Sequence, residues 1–239
     1  WFLSPALFVY CVFFILPVVV GIGFSFTNWN SMSSEIKFVG LRNYIEIFNP
    51  KNSYLLAIKN TFVFTVFATF GKIVFGLSLA LFFNRPFKSQ QILRGIYFMP
   101  FAISSLIIGI VFTSILAPDG VLNTILGGMG LEALARGWLT NKHTALGAVI
   151  AVEVWKSIGL NMVIFLAGLQ MIDKDYYEAA QLDGAGKIAL FRYITLPFLL
   201  PSITINLILN TIHGLKVFDI VMSLTNGGPG NSTQVINTF

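Results

Sequence analysis

The chain carries no charged side chain before Glu35, and Leu3 to Phe26 is apolar almost throughout. A hydrocarbon core about 30 Å thick is crossed by a helix of about 20 such residues, so this first run is long enough to span a bilayer. Pro5 and Pro17 interrupt it and no small-residue cleavage motif follows, which argues against a removable leader. Four runs of similar length come after it. Lys59 to Arg85 is broken only by Lys72, and Ile96 to Ala117 is unbroken. Ala145 to Ile172 holds Glu153 and Lys156, while Phe198 to Met222 carries His213, Lys216 and Asp219 toward its end. A Gly-, Asn- and Pro-rich stretch from Thr225 to Thr233 then leads to Gln234, where a sixth run can open.

Composition agrees. Of 239 residues, 56% are hydrophobic and 10% charged, against about 25% charged in a typical soluble domain. One soluble core of this size cannot hide so much apolar surface, which excludes a disordered chain, a nucleic-acid binder and most soluble enzymes. The expected fold is an all-α membrane protein, a polytopic bundle of about six transmembrane helices with the last one truncated. Both ends are expected to be cut short, since the chain starts at Trp1 and stops at Phe239 within an apolar element. Cys11 is the single cysteine, so no intrachain disulfide forms.

The net charge of +5 belongs in loops. The connection 85–94 holds Arg85, Lys88 and Arg94 without an acid, which reads as cytoplasmic. Alternation then places 172–197, with Lys174, Lys187 and Arg192, on the same side, and leaves 28–59 and 118–143 extracytoplasmic. The segment 28–59 also carries Lys37, Arg42, Lys51 and Lys59, so charge alone decides the orientation weakly.

The loop 172–197 is the most informative. Asp175 can cap a helix, with Glu178 three residues on. Ala179 and Ala180 give that helix a small, flat face, and Gly184 and Gly186 permit a sharp turn. A second amphipathic piece follows, with Ile188, Leu190, Phe191 and Ile194 apolar, and Pro197 sits where the first turn of the fifth span tolerates it. Such a helix-turn-helix is a lever that another protein can grip. The rival reading is an ordinary amphipathic connection lying on the membrane.

Glu178-Ala179-Ala180, Gly184, Ile194 and Leu196-Pro197 stand at the spacing of the EAA motif, and the chain resembles the permease subunits of binding-protein-dependent ABC importers. Phe38 to Tyr44, Tyr97 to Pro100, Gly120 to Asn123, Trp138 to Thr140, Ala167 to Gln170 and Gly227 to Gly230 are similar to the sugar permeases of the maltose and glycerol-3-phosphate type. The resemblance implies a type I ABC importer permease domain over 1–239. It implies a second permease subunit, two cytoplasmic ABC ATPase subunits, an extracytoplasmic solute-binding protein and a sugar substrate. It also implies the plasma membrane of a bacterium or archaeon. Coupling to the ATPase would run through Tyr177, Glu178, Ala179, Ala180, Asp183, Gly184, Ala185, Leu196 and Pro197. Gly71-Lys72 and Gly186-Lys187 are each followed by Ile and neither has a Gly at the phosphate-loop spacing. The chain is therefore expected to bind no cofactor and to have no catalytic residues, ATP and Mg being used by the partner.

Ionisable groups at bilayer depth cost about 2.5–3.5 kcal/mol and normally face protein or water. Glu153, Ser157 and Asn161 recur every four residues on one helical face, with Lys156 beside them. In the family this helix borders the translocation path, so Glu153 and Ser157 either contact a hydroxyl-rich solute or Glu153 only pairs with Lys156. Asn206, Asn210 and His213 form a second face that either meets substrate or holds helices together. Lys72 lines a cavity, packs between helices or snorkels to the lipid surface, and Lys216 with Asp219 is expected to be a structural pair. No second His or Cys stands near His213, so no metal site is expected. The alternatives are an ABC permease for a non-sugar solute and an ion-coupled secondary transporter; the latter lacks the repeats and midplane acids such transporters use.

Overall fold

The structure, a computed structural model, describes residues 1–30, 35–49 and 52–239. Lys51 lies outside the described residues. The chain forms two compact units, Trp1–Leu55 and Leu56–Phe239.

The first unit holds α1 (Ser4–Ser25) and α2 (Arg42–Ile47). Within α1, Cys11–Ile15 form a π turn in which the Leu16 N–H bonds the Cys11 carbonyl five residues back. Pro17 accounts for it. It has no N–H to give, its ring crowds the carbonyl four residues earlier, and the wider turn absorbs both without ending the helix. Beyond α1, Thr27 and Phe38 make an isolated antiparallel bridge. Asn43 then donates to the Ser25 and Thr27 carbonyls, both at 2.8 Å, filling acceptors that a helix end leaves open. The Tyr44 ring lies 5.5 Å from that of Phe26. The run Phe38 to Tyr44 is thus the clasp that folds this segment back onto the end of α1.

The second unit contains all but the first two residues of α3 (Tyr54–Phe83), then α4 (Gln90–Ala102), α5 (Ser105–Ile115), α6 (Val121–Gly128) and α7 (Ala145–Gln170). It continues with α8 (Lys174–Leu182), α9 (Lys187–Leu215) and α10 (Asp219–Thr225). Four helices (α1, α3, α7 and α9) are long and apolar enough to cross a membrane, and α4 with α5 makes a fifth if the bent pair is one span. The protein is a multi-pass membrane protein.

Two expectations need correction. The run Ile96 to Ala117 is not one straight span, for α4 and α5 meet at 97°. Pro100 lies in the last turn of α4, Ile103 is extended, and Ser104 caps α5 by accepting from the Leu106 N–H at 3.3 Å. The fifth span starts earlier and stops sooner: α9 reaches back to Lys187 and ends at Leu215. A π turn at Phe191–Thr195 precedes Pro197 as the one in α1 precedes Pro17, so the helix runs through the proline. The residues Ile236–Thr238 form a short 3-10 turn.

Two apolar clusters organise this unit. One gathers Phe64, Ile108, Val149, Val152, Ile220 and Val221; the other gathers Phe83, Met162, Phe165, Leu169 and Leu199. Both include residues of α7, and between them α7 presents Glu153, Ser157 and Asn161, all buried. Other family-like runs have structural work to do. Asn123 accepts from Trp138 Nε1 at 2.9 Å and donates to the Arg136 carbonyl at 2.9 Å, which closes the segment 118–143 on itself.

Candidate functional site

α3 approaches α7 closely because glycine stands at the crossing. A Cβ on Gly76 would lie 2.7 Å from the Asn161 Cβ, and small residues at helix crossings are how membrane helices reach van der Waals contact. One turn away, Lys72 Nζ meets Glu153 Oε1 at 2.7 Å, both side chains being 2% exposed. An ion pair this dry is tolerated only with further hydrogen bonds. Ser157 Oγ donates to the same oxygen at 3.0 Å, and His213 Nδ1 lies 3.5 Å from it.

The polar layer continues along α7 and across to α9. Asn161 donates to the Ser157 carbonyl at 2.9 Å, and Asn210 Nδ2 donates to Asn161 Oδ1 at 2.6 Å and to the Asn206 carbonyl at 2.7 Å. Asn206 Nδ2 donates to the Ser202 carbonyl at 3.1 Å, leaving its buried Oδ1 without a partner. Thr69 Oγ1 on α3 is likewise buried and unpartnered. All five path candidates, Glu153, Ser157, Asn161, Asn206 and Asn210, therefore belong to the layer between the two apolar clusters. Asn210 is engaged in joining α9 to α7.

Neither the alternative Glu153–Lys156 pair nor the expected Lys216–Asp219 pair forms among the described residues. Glu153 pairs with Lys72 instead of Lys156, whose ammonium donates to Ser105 Oγ at 2.5 Å, at the start of α5. No ion pair joins Lys216 to Asp219 among the described residues. Both instead line a cavity of about 40 Å³ with Ser105, Glu153 and His213, room for a water or two. Ser105 and Asp219 also line an adjoining open cleft of about 370 Å³, together with Ser104, Phe218 and Ser223. The 97° break thus sets hydroxyl groups beside Glu153. Ser104 and Ser105 escape a reading of 96–117 as one span, although Pro100 is a break signal and Ser104 a cap signal.

The second candidate site is α8 with the turn after it. Asp173, not Asp175, is the cap: its carboxylate accepts from the Asp175 N–H at 3.2 Å. Asp173 keeps extended backbone angles, so the helix starts at Lys174 and Asp175 sits in its first turn, where an acid suits the helix dipole. At the other end the Ala185 N–H bonds the Ala180 carbonyl and the Gly184 N–H bonds that of Gln181, with Gly184 at φ +81°. That left-handed cap is what glycine supplies. Tyr177 Oη meets Thr195 Oγ1 at 3.0 Å and fastens α8 to α9. Glu178, Ala179, Asp183, Gly184 and Pro197 are exposed, while Tyr177, Ala180, Ala185 and Leu196 are half-buried. Leu182 and Ile188 protrude at 90% and 83% exposure, so this end of the unit carries bare apolar side chains around a rigid turn.

Residues 72–238 match the family described as binding-protein-dependent transport system inner membrane component. The chain is 35% identical over 241 residues to the probable ABC transporter permease protein YurN of Bacillus subtilis, covering 100% of this chain and 82% of that protein. It is 36% identical over 237 residues to the trehalose/maltose transport system permease protein MalF of Thermococcus litoralis, covering 98% and 78%. It is 34% identical over 232 residues to the multiple sugar-binding transport system permease protein MsmF of Streptococcus mutans, covering 97% and 79%. Among solved structures, a bacterial ABC transporter involved in the import of the acidic polysaccharide alginate superposes with a TM-score of 0.82 at 26% identity, over 99% of this chain and 80% of that one.

Proposed function

Because the chain belongs to the family of binding-protein-dependent transport system inner membrane components, we propose that it is one of two permease subunits forming the translocation path for a sugar or sugar derivative. It is a transport subunit and not the ATP-hydrolysing component. In this reading an extracytoplasmic solute-binding protein delivers the sugar, and two cytoplasmic ABC ATPase subunits, using ATP and Mg, grip the loop 172–197. The membrane is the plasma membrane of a bacterium or archaeon, with 85–94 and 172–197 inside and 28–59 and 118–143 outside.

The observation that carries the path is the polar layer at mid-length of α7. Glu153 and Ser157, with the unpartnered Asn206 Oδ1, offer the donors and acceptors that sugar hydroxyls need. Hydroxyl groups at Ser104 and Ser105 and the Phe218 ring line the adjoining cleft, and an aromatic beside a few convergent polar groups suits a small solute. The sugar class is supported by the named relatives that transport trehalose, maltose and other sugars.

The test is uptake of a labelled oligosaccharide panel into proteoliposomes holding the assembled importer with its binding protein. Uptake is expected to vanish without ATP or without the binding protein and to persist with an ionophore. Uptake driven by an ion gradient alone would overturn the reading.

A further inference from the structure

At the end of the second unit opposite the first apolar cluster, a cleft of about 380 Å³ opens between the end of α3, the end of α7 and the start of α9. Leu81, Leu169, Leu190 and Phe191 give it an apolar floor. Arg85 and Lys187 also line it, both exposed. Neither cation has an ion-pair partner among the described residues, and no acidic residue lines the cleft. α9 begins here on Gly186, which offers no side-chain cap, so its first-turn N–H groups add to the pull on an anion.

We propose that this cleft binds an acidic glycerophospholipid from the adjacent leaflet. Its phosphate sits between Arg85, Lys187 and the first turn of α9, and one acyl chain follows the floor from Leu81 to Phe191. A free phosphate shares the headgroup chemistry but leaves the apolar floor bare, and a neutral lipid leaves two cations uncompensated. Only an acidic amphiphile uses both halves of the lining. Tyr177 and Thr195, whose hydroxyls meet at 3.0 Å, line the same cleft, so the lipid touches the fastening between α8 and α9. The site itself stands on the cleft; its bearing on coupling rests on the proposed role of the loop 172–197.

The experiment uses the assembled importer in phosphatidylcholine discs with and without phosphatidylglycerol, followed by native mass spectrometry during stepwise delipidation. Wild-type complex is expected to retain phosphatidylglycerol after phosphatidylcholine is lost. Arg85→Gln and Lys187→Gln should each weaken retention about fivefold, and together about thirtyfold; the single variants suffice if the pair fails to assemble. Lys88→Gln, basic in the same connection but outside the cleft, should retain lipid like wild type. Equal retention in all these variants overturns the proposal, as does inorganic phosphate binding the delipidated complex as tightly as phosphatidylglycerol does. Retention is read without ATP turnover, so a failure of the ATPase-docking reading leaves this result unaffected.

Discussion

The Lys72 ammonium and the Glu153 carboxylate meet at 2.7 Å, 81 residues apart in the chain and both sealed from solvent. Removing one partner strands the other charge in a dry interior, which costs about 3–5 kcal/mol. Lys72→Met alone is expected to destabilise the assembled importer by that amount, and Lys72→Met with Glu153→Gln to recover most of it. Thermal unfolding of the four members of this double-mutant cycle measures the coupling, and additive losses would show that the pair holds nothing together.

Asn210 is expected to act on stability more than on solute affinity, since both of its donor hydrogens are spent on Asn161 and Asn206. Asn210→Ala should cost about 0.6–1.7 kcal/mol, the range for hydrogen bonds between membrane helices. Ser157→Ala, by contrast, should raise the KM for uptake. A large KM effect at Asn210 with unchanged stability would reverse these roles.

Gly159 lies against α4: a Cβ there would fall 2.6 Å from the Phe98 Cα. Gly159→Val must push α4 away from α7, at about 1–3 kcal/mol for an overpacked contact. Thermal unfolding checks the cost. Gly147→Val serves as control, because a Cβ at Gly147 meets nothing within 4 Å.

The turn after α8 depends on Gly184 at φ +81°. A β-branched residue there costs about 1–2 kcal/mol in backbone strain, or about a tenfold loss of the correctly formed turn. Gly184→Val should therefore insert normally and allow basal ATP hydrolysis while uptake falls by about that factor. Normal uptake would remove the turn from the coupling machinery.

Tyr177→Phe deletes the hydroxyl contact with Thr195. A net loss of about 1 kcal/mol should speed amide exchange across 174–182 about fivefold if α8 opens as a unit. Exchange measured by mass spectrometry on the assembled importer reads this directly, and unchanged rates would mean that α8 is held by other contacts.

Much of this molecule was legible in its sequence because membrane physics makes length and polarity decisive. The charge-free run of α1 and the long apolar runs of α3 and α7 became helices near the expected bounds. The four-residue spacing from Glu153 to Asn161 correctly put them on one face. What spacing along one helix cannot reveal is a partner on another, and so Lys72, not the neighbouring Lys156, proved to be the counter-ion. The break between α4 and α5 was signalled by Pro100 and Ser104, which the apolar run on either side outweighed. The cap of α8 was placed two residues late, since Asp173 and Asp175 are equally able to cap and only the path of the chain out of α7 chooses between them.

The π turn ahead of Pro197 has a mechanical meaning. It lets α9 continue from Lys187 past Asn210, about 35 Å at 1.5 Å per residue, although Pro197 and Pro201 both lie within it. Five residues of widened coil thus put the exposed turn at Gly186 and the buried Asn206 and Asn210 on one continuous helix.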